Sequence, residues 1–144
     1  MKSTAILDLM VKDHAHLVGL LNTVETNMET ERQILLEAVD KFNWHLEKHI
    51  FTEEKAIFTQ YSPTNVTEGY AMVPNLIKEH NVILNKMDLL RKDIIKQRPI
   101  DFNSFKELLI NHKNFEEEKV YPQLDQELDE IQKQRIIDRI KEIM

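Results

Sequence analysis

The chain has 144 residues, 42% of them hydrophobic and 31% charged, which is enough apolar material for one core of ordinary size. Its net charge of −6, with no cluster of Lys and Arg, argues against nucleic-acid binding; the absence of cysteine excludes disulfides, thiolate zinc sites, cysteine-ligated iron–sulfur clusters and cysteine nucleophiles. The apolar start Ala5-Ile6-Leu7 meets Asp8 at once and no long charge-free run occurs elsewhere, so neither a signal peptide nor a membrane span is expected, and a cytoplasmic location is the default.

Two glycines, four prolines and abundant Leu, Ile, Glu and Lys favour helix over sheet. From about residue 4 to 28, Leu7, Met10, His14, Leu17, Leu21, Val24 and Met28 recur at three- and four-residue steps and predict a first helix with His14 in its apolar seam. Thr30 and Gln33 have the spacing of a capping box, and Leu35, Ala38, Phe42, His49, Glu53 and Ala56 form a second seam ending near Tyr61-Ser62-Pro63. Residues 62–69 are rich in turn formers and read as the longest loop. The third seam is Leu76, His80, Ile83, Met87, Leu90 and Ile94, with Pro74 in its first turn or at a kink, and it stops before Arg98-Pro99. A fourth helix starts at Asp101 as N-cap, carries Phe105, Leu109, His112 and Glu116, and is expected to close at Pro122. The tail from about residue 127 reads as a short fifth helix bearing Ile131, Ile136, Ile137 and Ile140. The expected architecture is all-α: an up-down-up-down four-helix bundle with a short C-terminal fifth helix, residues 1–144 forming one domain.

One pattern is stated twice along these helices. His14, His49 and Glu53 are answered by His80, His112 and Glu116 at offsets of 66, 63 and 63 residues, each half being a lone histidine followed by His-x-x-x-Glu. The local wording repeats as well: Lys12-Asp13-His14 matches Lys78-Glu79-His80, and an aromatic, Phe58 or Tyr121, follows each second histidine nine residues on. Each histidine replaces an apolar seam residue, and each glutamate stands one turn beyond a histidine on the same face. Six unsatisfied polar groups in a core would cost ~1–3 kcal/mol each, comparable in sum to the ~5–15 kcal/mol that holds a domain folded. A cation removes that cost by taking neutral imidazole and ionised carboxylate as ligands. Six ligands exceed the need of one tetrahedral zinc, so two metals sharing two carboxylates fit the count, with His14, His49, Glu53, His80, His112 and Glu116 as the ligand set. The order is His-x-x-x-Glu, whereas ferritin-like sites use Glu-x-x-His.

With His49-x-x-x-Glu53-Glu54 and His112-x-x-x-Glu116-Glu117 followed by Tyr121-Pro122, residues 4 to 125 resemble the hemerythrin-like (HHE cation-binding) domain family. The resemblance implies a four-helix bundle holding two iron ions in a non-haem di-iron centre with an oxo or hydroxo bridge. It also implies a small diatomic ligand, dioxygen or nitric oxide. The sequence departs from the oxygen carriers at two points: Leu84 stands where they have a second histidine on the third helix, and their final carboxylate is an Asp five residues after its histidine, whereas here Glu116 falls at four, with Glu117 as the one-off alternative. The four-His, two-Glu set is closer to the di-iron domain of proteins that repair iron centres after nitrosative stress, without the cysteine-bearing N-terminal domain of some of them. These departures turn the expectation from reversible oxygen carriage toward redox chemistry on dioxygen, peroxide or nitric oxide in oxidative or nitrosative stress. The competing readings are an iron or oxygen sensor, store or donor, and a structural zinc or manganese bundle. Expected partners are the small ligand and a redox or iron-acceptor protein, with neither nucleic acid nor membrane.

Other residues are set aside. His45 could form a clip with His49, but its repeat counterpart is Leu108; His16 is on nearly the opposite face from His14 and reads as a surface residue. Trp44 and Phe42 read as core or rim packing, and Tyr61 and Tyr121 as packing residues able to reach a bound ligand.

Overall fold

The structure, a computed structural model, describes residues 3–60 and 66–143, with the side chains of residues 66–71 outside that description. It is all-α. Helices α1 (Ala5–Thr26), α2 (Arg32–Thr52), α3 (Val66–Ile95) and α4 (Phe102–Phe115) form the up-down-up-down bundle, α5 (Tyr121–Glu127) prolongs α4, and the short α6 (Glu130–Ile143) packs across one end. Two π turns interrupt the rods: Glu53–Ile57 after α2, followed by a 3-10 turn Phe58–Gln60, and Glu116–Val120 between α4 and α5.

The third seam is buried as its spacing predicts, at Leu76, His80, Ile83, Met87, Leu90 and Ile94. Asp101 caps α4, accepting from the Ser104 N–H at 3.1 Å. Elsewhere the termini differ from expectation. Thr30 and Gln33 form no capping box: α2 starts behind Glu31 without a capping side chain, and the Thr30 hydroxyl donates to the Asn27 carbonyl at 2.7 Å. The expected end at Tyr61-Ser62-Pro63 and the first half of the expected loop, residues 62–65, lie outside the described residues. Residues 66–69 are already helical, so Pro74 sits well inside α3. Nor does Pro122 stop the fourth rod. It sits in the first turn of α5 directly behind the π turn, and the rod runs through it to Glu127.

Two apolar clusters fill the bundle. One gathers Leu17, Leu21, Val39, Phe42, Leu46, Ile83, Met87, Phe105 and Leu109; the other holds Ile6, Met10, Ile57, Phe58, Leu76, Val120, Tyr121, Leu124, Ile136 and Ile140. Along each long helix the histidine falls between the stretches that feed the two clusters. In α6, Ile136 and Ile140 are buried, but Ile131 is 67% exposed and is not a core residue. What locks this end is polar: Asp125 accepts from the N–H groups of Ile6 (3.1 Å) and Leu7 (3.0 Å) at the start of α1, where Thr4 supplies no cap. Asp125 also faces Lys133 of α6 at 3.7 Å, and the Lys133 ammonium, 1% exposed, donates to the Ser3 carbonyl at 2.8 Å. Among the described residues, no helix is long and apolar enough to cross a membrane.

Asp125→Ala removes two hydrogen bonds from a helix start and one of the two carboxylates beside a buried ammonium, and is expected to destabilise the chain by about 2–4 kcal/mol. Urea unfolding measures this; a loss no larger than that of an exposed substitution such as Asp138→Ala would show that the clasp holds nothing.

Candidate metal centre

The six predicted residues converge between the two apolar clusters. His14 comes from α1, His49 from the last turn of α2, His80 from α3 and His112 from the last turn of α4; Glu53 and Glu116 each open a π turn. Glu53, Glu116 and His80 are 0% exposed, and the least buried, His112, is 6% exposed. Their donor atoms form two groups, His14–His49–Glu53–Glu116 and Glu53–His80–His112–Glu116, each with all its atoms within 4.8 Å of one another and both sharing the two glutamates. His49 Nε2 lies 2.8 Å from Glu53 Oε1, His14 Nε2 3.2 Å and His112 Nε2 3.3 Å from Glu116 Oε1, and His80 Nε2 3.6 Å from Glu53 Oε1. Several of these approaches lack hydrogen-bond geometry: Glu53 Oε1, both Glu116 oxygens, His80 Nε2 and both His112 nitrogens are buried with no partner. His14 Nε2 and His49 Nε2 face each other at 3.1 Å, an arrangement that requires one ring to donate to the other or both to turn lone pairs on a shared cation.

The opposite nitrogen of every ring meets a carboxylate. Asp13 of α1 accepts from His49 Nδ1, Glu54 of the first π turn faces His80 Nδ1 at 2.9 Å and Glu117 of the second π turn faces His14 Nδ1 at 3.0 Å, while Glu79 of α3 approaches His112 Nδ1 at 3.5 Å without a hydrogen bond. Each helix therefore braces the next one around the bundle, and the fourth braces the first. A carboxylate on Nδ1 fixes the tautomer and aims the Nε2 lone pair inward, the arrangement by which proteins orient imidazole ligands. Sequence reasoning gave none of the four this role and weighed only Glu117, as a one-off alternative to Glu116. Their signal was present, since each is the chain neighbour of a predicted ligand and sits in the repeated wording, but spacing along one helix does not say what lies across from it. Glu117 is thus placed behind His14, outside the convergent groups, and Glu118 is exposed.

Tyr121 is also part of the site. In a regular helix nine residues span about two and a half turns, so Tyr121 would point away from His112. The extra residue of the second π turn brings it round: its hydroxyl donates to Glu53 Oε2 at 2.9 Å and lies 3.4 Å from His14 Nε2. The first π turn does the same for Phe58, which stacks on His80 with ring centres 6.1 Å apart. One half of the site consequently carries a hydroxyl and the other a plain ring. Tyr61 lies outside the described residues. Trp44 is 58% exposed and packs in no core; its ring receives the Lys48 ammonium at 4.9 Å. Leu84 is half-buried against the first apolar cluster, and it is Ile83 that reaches the site.

The electrostatics are those of a cluster built around charge. Burial opposes protonation of His49, but Glu53, Asp13 and Glu116 overcome it and hold its pKa up to about 10; for His80, burial is likewise outweighed by Glu116, Glu53 and Glu54, and its pKa is also about 10. His112 is raised in the same way. Burial pushes Glu116 up, yet its contacts with Glu53, His112, His14 and His80 hold it well below the usual carboxylate range. Burial and the two glutamates push the Tyr121 phenol well above its ordinary value, so it remains a donor.

Hemerythrin HHE cation binding domain is the description of the family model that matches residues 5–124. The chain belongs to this family. Comparisons with curated proteins and with solved structures each found no match. The family accounts for the shared layer of four histidines and two glutamates as a potential metal-binding group, and the helical bundle is the one expected of a hemerythrin-like chain.

A pH profile of the metal-free chain checks this charge layer. His49 and His80 have folded values near 10 against an ordinary 6.5, so the stability they contribute is full below about pH 6.5 and is lost as pH rises toward 10. Glu116, depressed below its ordinary 4.5, contributes above that value and loses its contribution on acidification. Urea midpoints of chelator-stripped protein should fall steadily from pH 7 to 10; a level or rising profile would contradict paired imidazolium in the core.

Proposed function

We propose that the His14, His49, Glu53, His80, His112 and Glu116 layer holds a pair of iron ions, and that the chain uses them to bind or reduce a small diatomic ligand, dioxygen or nitric oxide, or peroxide, in response to oxidative or nitrosative stress. The observation that carries this reading is the convergence of orphaned buried donors into two groups sharing both glutamates. Left without partners those atoms are costly; a cation in each group takes up the inward-facing ones, Glu53 Oε1, the Glu116 oxygens and the Nε2 atoms of His80 and His112. Nitrogen and oxygen donors without thiolate suit iron, and bound iron would supply a redox-active Lewis acid.

The chain's own residues set what reaches that position. Leu17, Val18, Leu46, Ile50, Ile83 and Leu109 wall a cavity of about 20 Å³ against the histidines and glutamates. That is room for one water-sized or diatomic molecule, with apolar walls on the side away from the histidines and glutamates. Asp13, Glu54 and Glu117 hold His49, His80 and His14 with Nε2 inward, and Glu79 faces His112 from 3.5 Å. Tyr121 keeps its proton at the Glu53 carboxylate. Lys113, on the cavity's rim, donates to Glu117 at 2.9 Å and holds the carboxylate that orients His14. The family match and the shared-glutamate geometry support the di-iron reading together; cytoplasmic residence belongs to the same proposal.

Protein loaded anaerobically with ferrous iron should take up one ion per group, about two per chain, measured by elemental analysis. Saturation at one ion, or zinc that iron cannot displace, would overturn the dinuclear reading. Glu54→Gln should keep the fold but weaken metal binding roughly 10–100-fold, because His80 loses the anion that fixes its ring. Unchanged affinity in a competition titration would remove the bracing carboxylates from the account.

A further inference from the structure

His16 and His45 have no place in the repeated pattern, and the structure brings them together. They stand on neighbouring helices α1 and α2 with ring centres 4.6 Å apart. The two buried pairs give the comparison: His14–His49 stand at 4.7 Å and His80–His112 at 5.0 Å. Two imidazoles bound to one tetrahedral ion at about 2.0–2.1 Å bring their ring centres to about 5 Å, so the outer pair already has the spacing of a chelating one. Unlike the buried rings, His16 is exposed and His45 half-buried, and among the described residues neither ring makes a hydrogen bond. Their lone pairs are uncommitted.

The place is a cleft of about 350 Å³ lined also by Leu9, Lys12, Asp13, Lys48, His49 and Thr52, so two ammonium groups share it with the Asp13 carboxylate. Asp13 stands one turn before His16 and is committed to His49 through one carboxylate oxygen; its negative charge in the cleft wall favours a cation held by the two rings. The Lys48 ammonium is drawn over Trp44, which lessens its opposition to a second cation in the cleft. His49, whose Nε2 points into the buried layer, thus forms part of the cleft's inner wall.

We infer that His16 and His45 form a second, solvent-facing site for a divalent transition-metal ion whose remaining positions are filled by water, an uptake station beside the His49 edge of the buried layer. Two imidazoles are a borderline donor pair, suited to ferrous, cobaltous, zinc or cupric ions and unsuited to magnesium or calcium. Ion binding here needs no metal in the buried layer; the uptake role rests on the proposed function.

The test uses the full chain stripped with chelator and its His16→Ala/His45→Ala double variant, whose changes are at the surface and should leave the fold intact. Zinc is titrated while the imidazole resonances are followed by NMR, and ferrous loading of the interior is followed over time. The native chain should bind one zinc more than the double variant, with the His16 and His45 resonances shifting; magnesium should shift neither. The double variant should reach the native final iron content several-fold more slowly. If the interior held no metal, the extra zinc and the shifted resonances would still appear, so the two readings fail separately. Equal zinc stoichiometry in both proteins, or silent His16 and His45 resonances, would overturn the site, and equal loading rates would overturn its role as an entry point.

Discussion

Everything in this bundle is arranged around a layer of four imidazoles and two carboxylates set across the middle of an apolar core. Such groups resist burial, because each must find a partner or remain a costly orphan. The surrounding structure is shaped to permit it. One apolar cluster lies on either side of the layer, and the rods must keep close register for six side chains from four helices to meet at one level.

The bracing carboxylates solve the orientation problem with a single device, hydrogen-bonded at three rings and present at the fourth as the looser approach of Glu79 to His112. An imidazole left alone can rotate about its side-chain bonds and choose between two tautomers; a carboxylate on Nδ1 removes both freedoms. Because each brace comes from the helix before it in the ring, the contacts that orient the rings also tie adjacent helices together. Packing and site geometry are therefore coupled, and a shift of one helix disturbs the ring carried by the next.

The two π turns perform a second shared task. Each begins at a glutamate and adds one residue to the turn, rotating the next stretch of chain so that Phe58 and Tyr121 return to the layer. The halves are alike in backbone and unlike in chemistry: a phenol donates into one group and a phenyl ring stacks on a histidine of the other. The internal repeat is thus not a symmetric site. Its two groups differ in polarity before any ion or ligand is considered.

The sequence by itself determined the helical class, the seam of α3 residue by residue, the Asp101 cap and the six residues that meet in the core, because a helix of fixed period converts spacing into a common face. It could not say which helix each face would meet. That is why Asp13, Glu54, Glu79 and Glu117 were legible only as neighbours of the ligand positions, and why His16 and His45, one on each of two helices, became a pair only in three dimensions. Period also hides a one-residue insertion, so Tyr121 read as packing until the π turn placed its hydroxyl on Glu53. The same limit explains the ends: Thr30 with Gln33 and Pro122 carry the local chemistry of a cap and a stop, but the burial of Leu35 in α2 and of Tyr121 and Leu124 in α5 depends on distant partners, and tertiary packing decided where those helices begin and end.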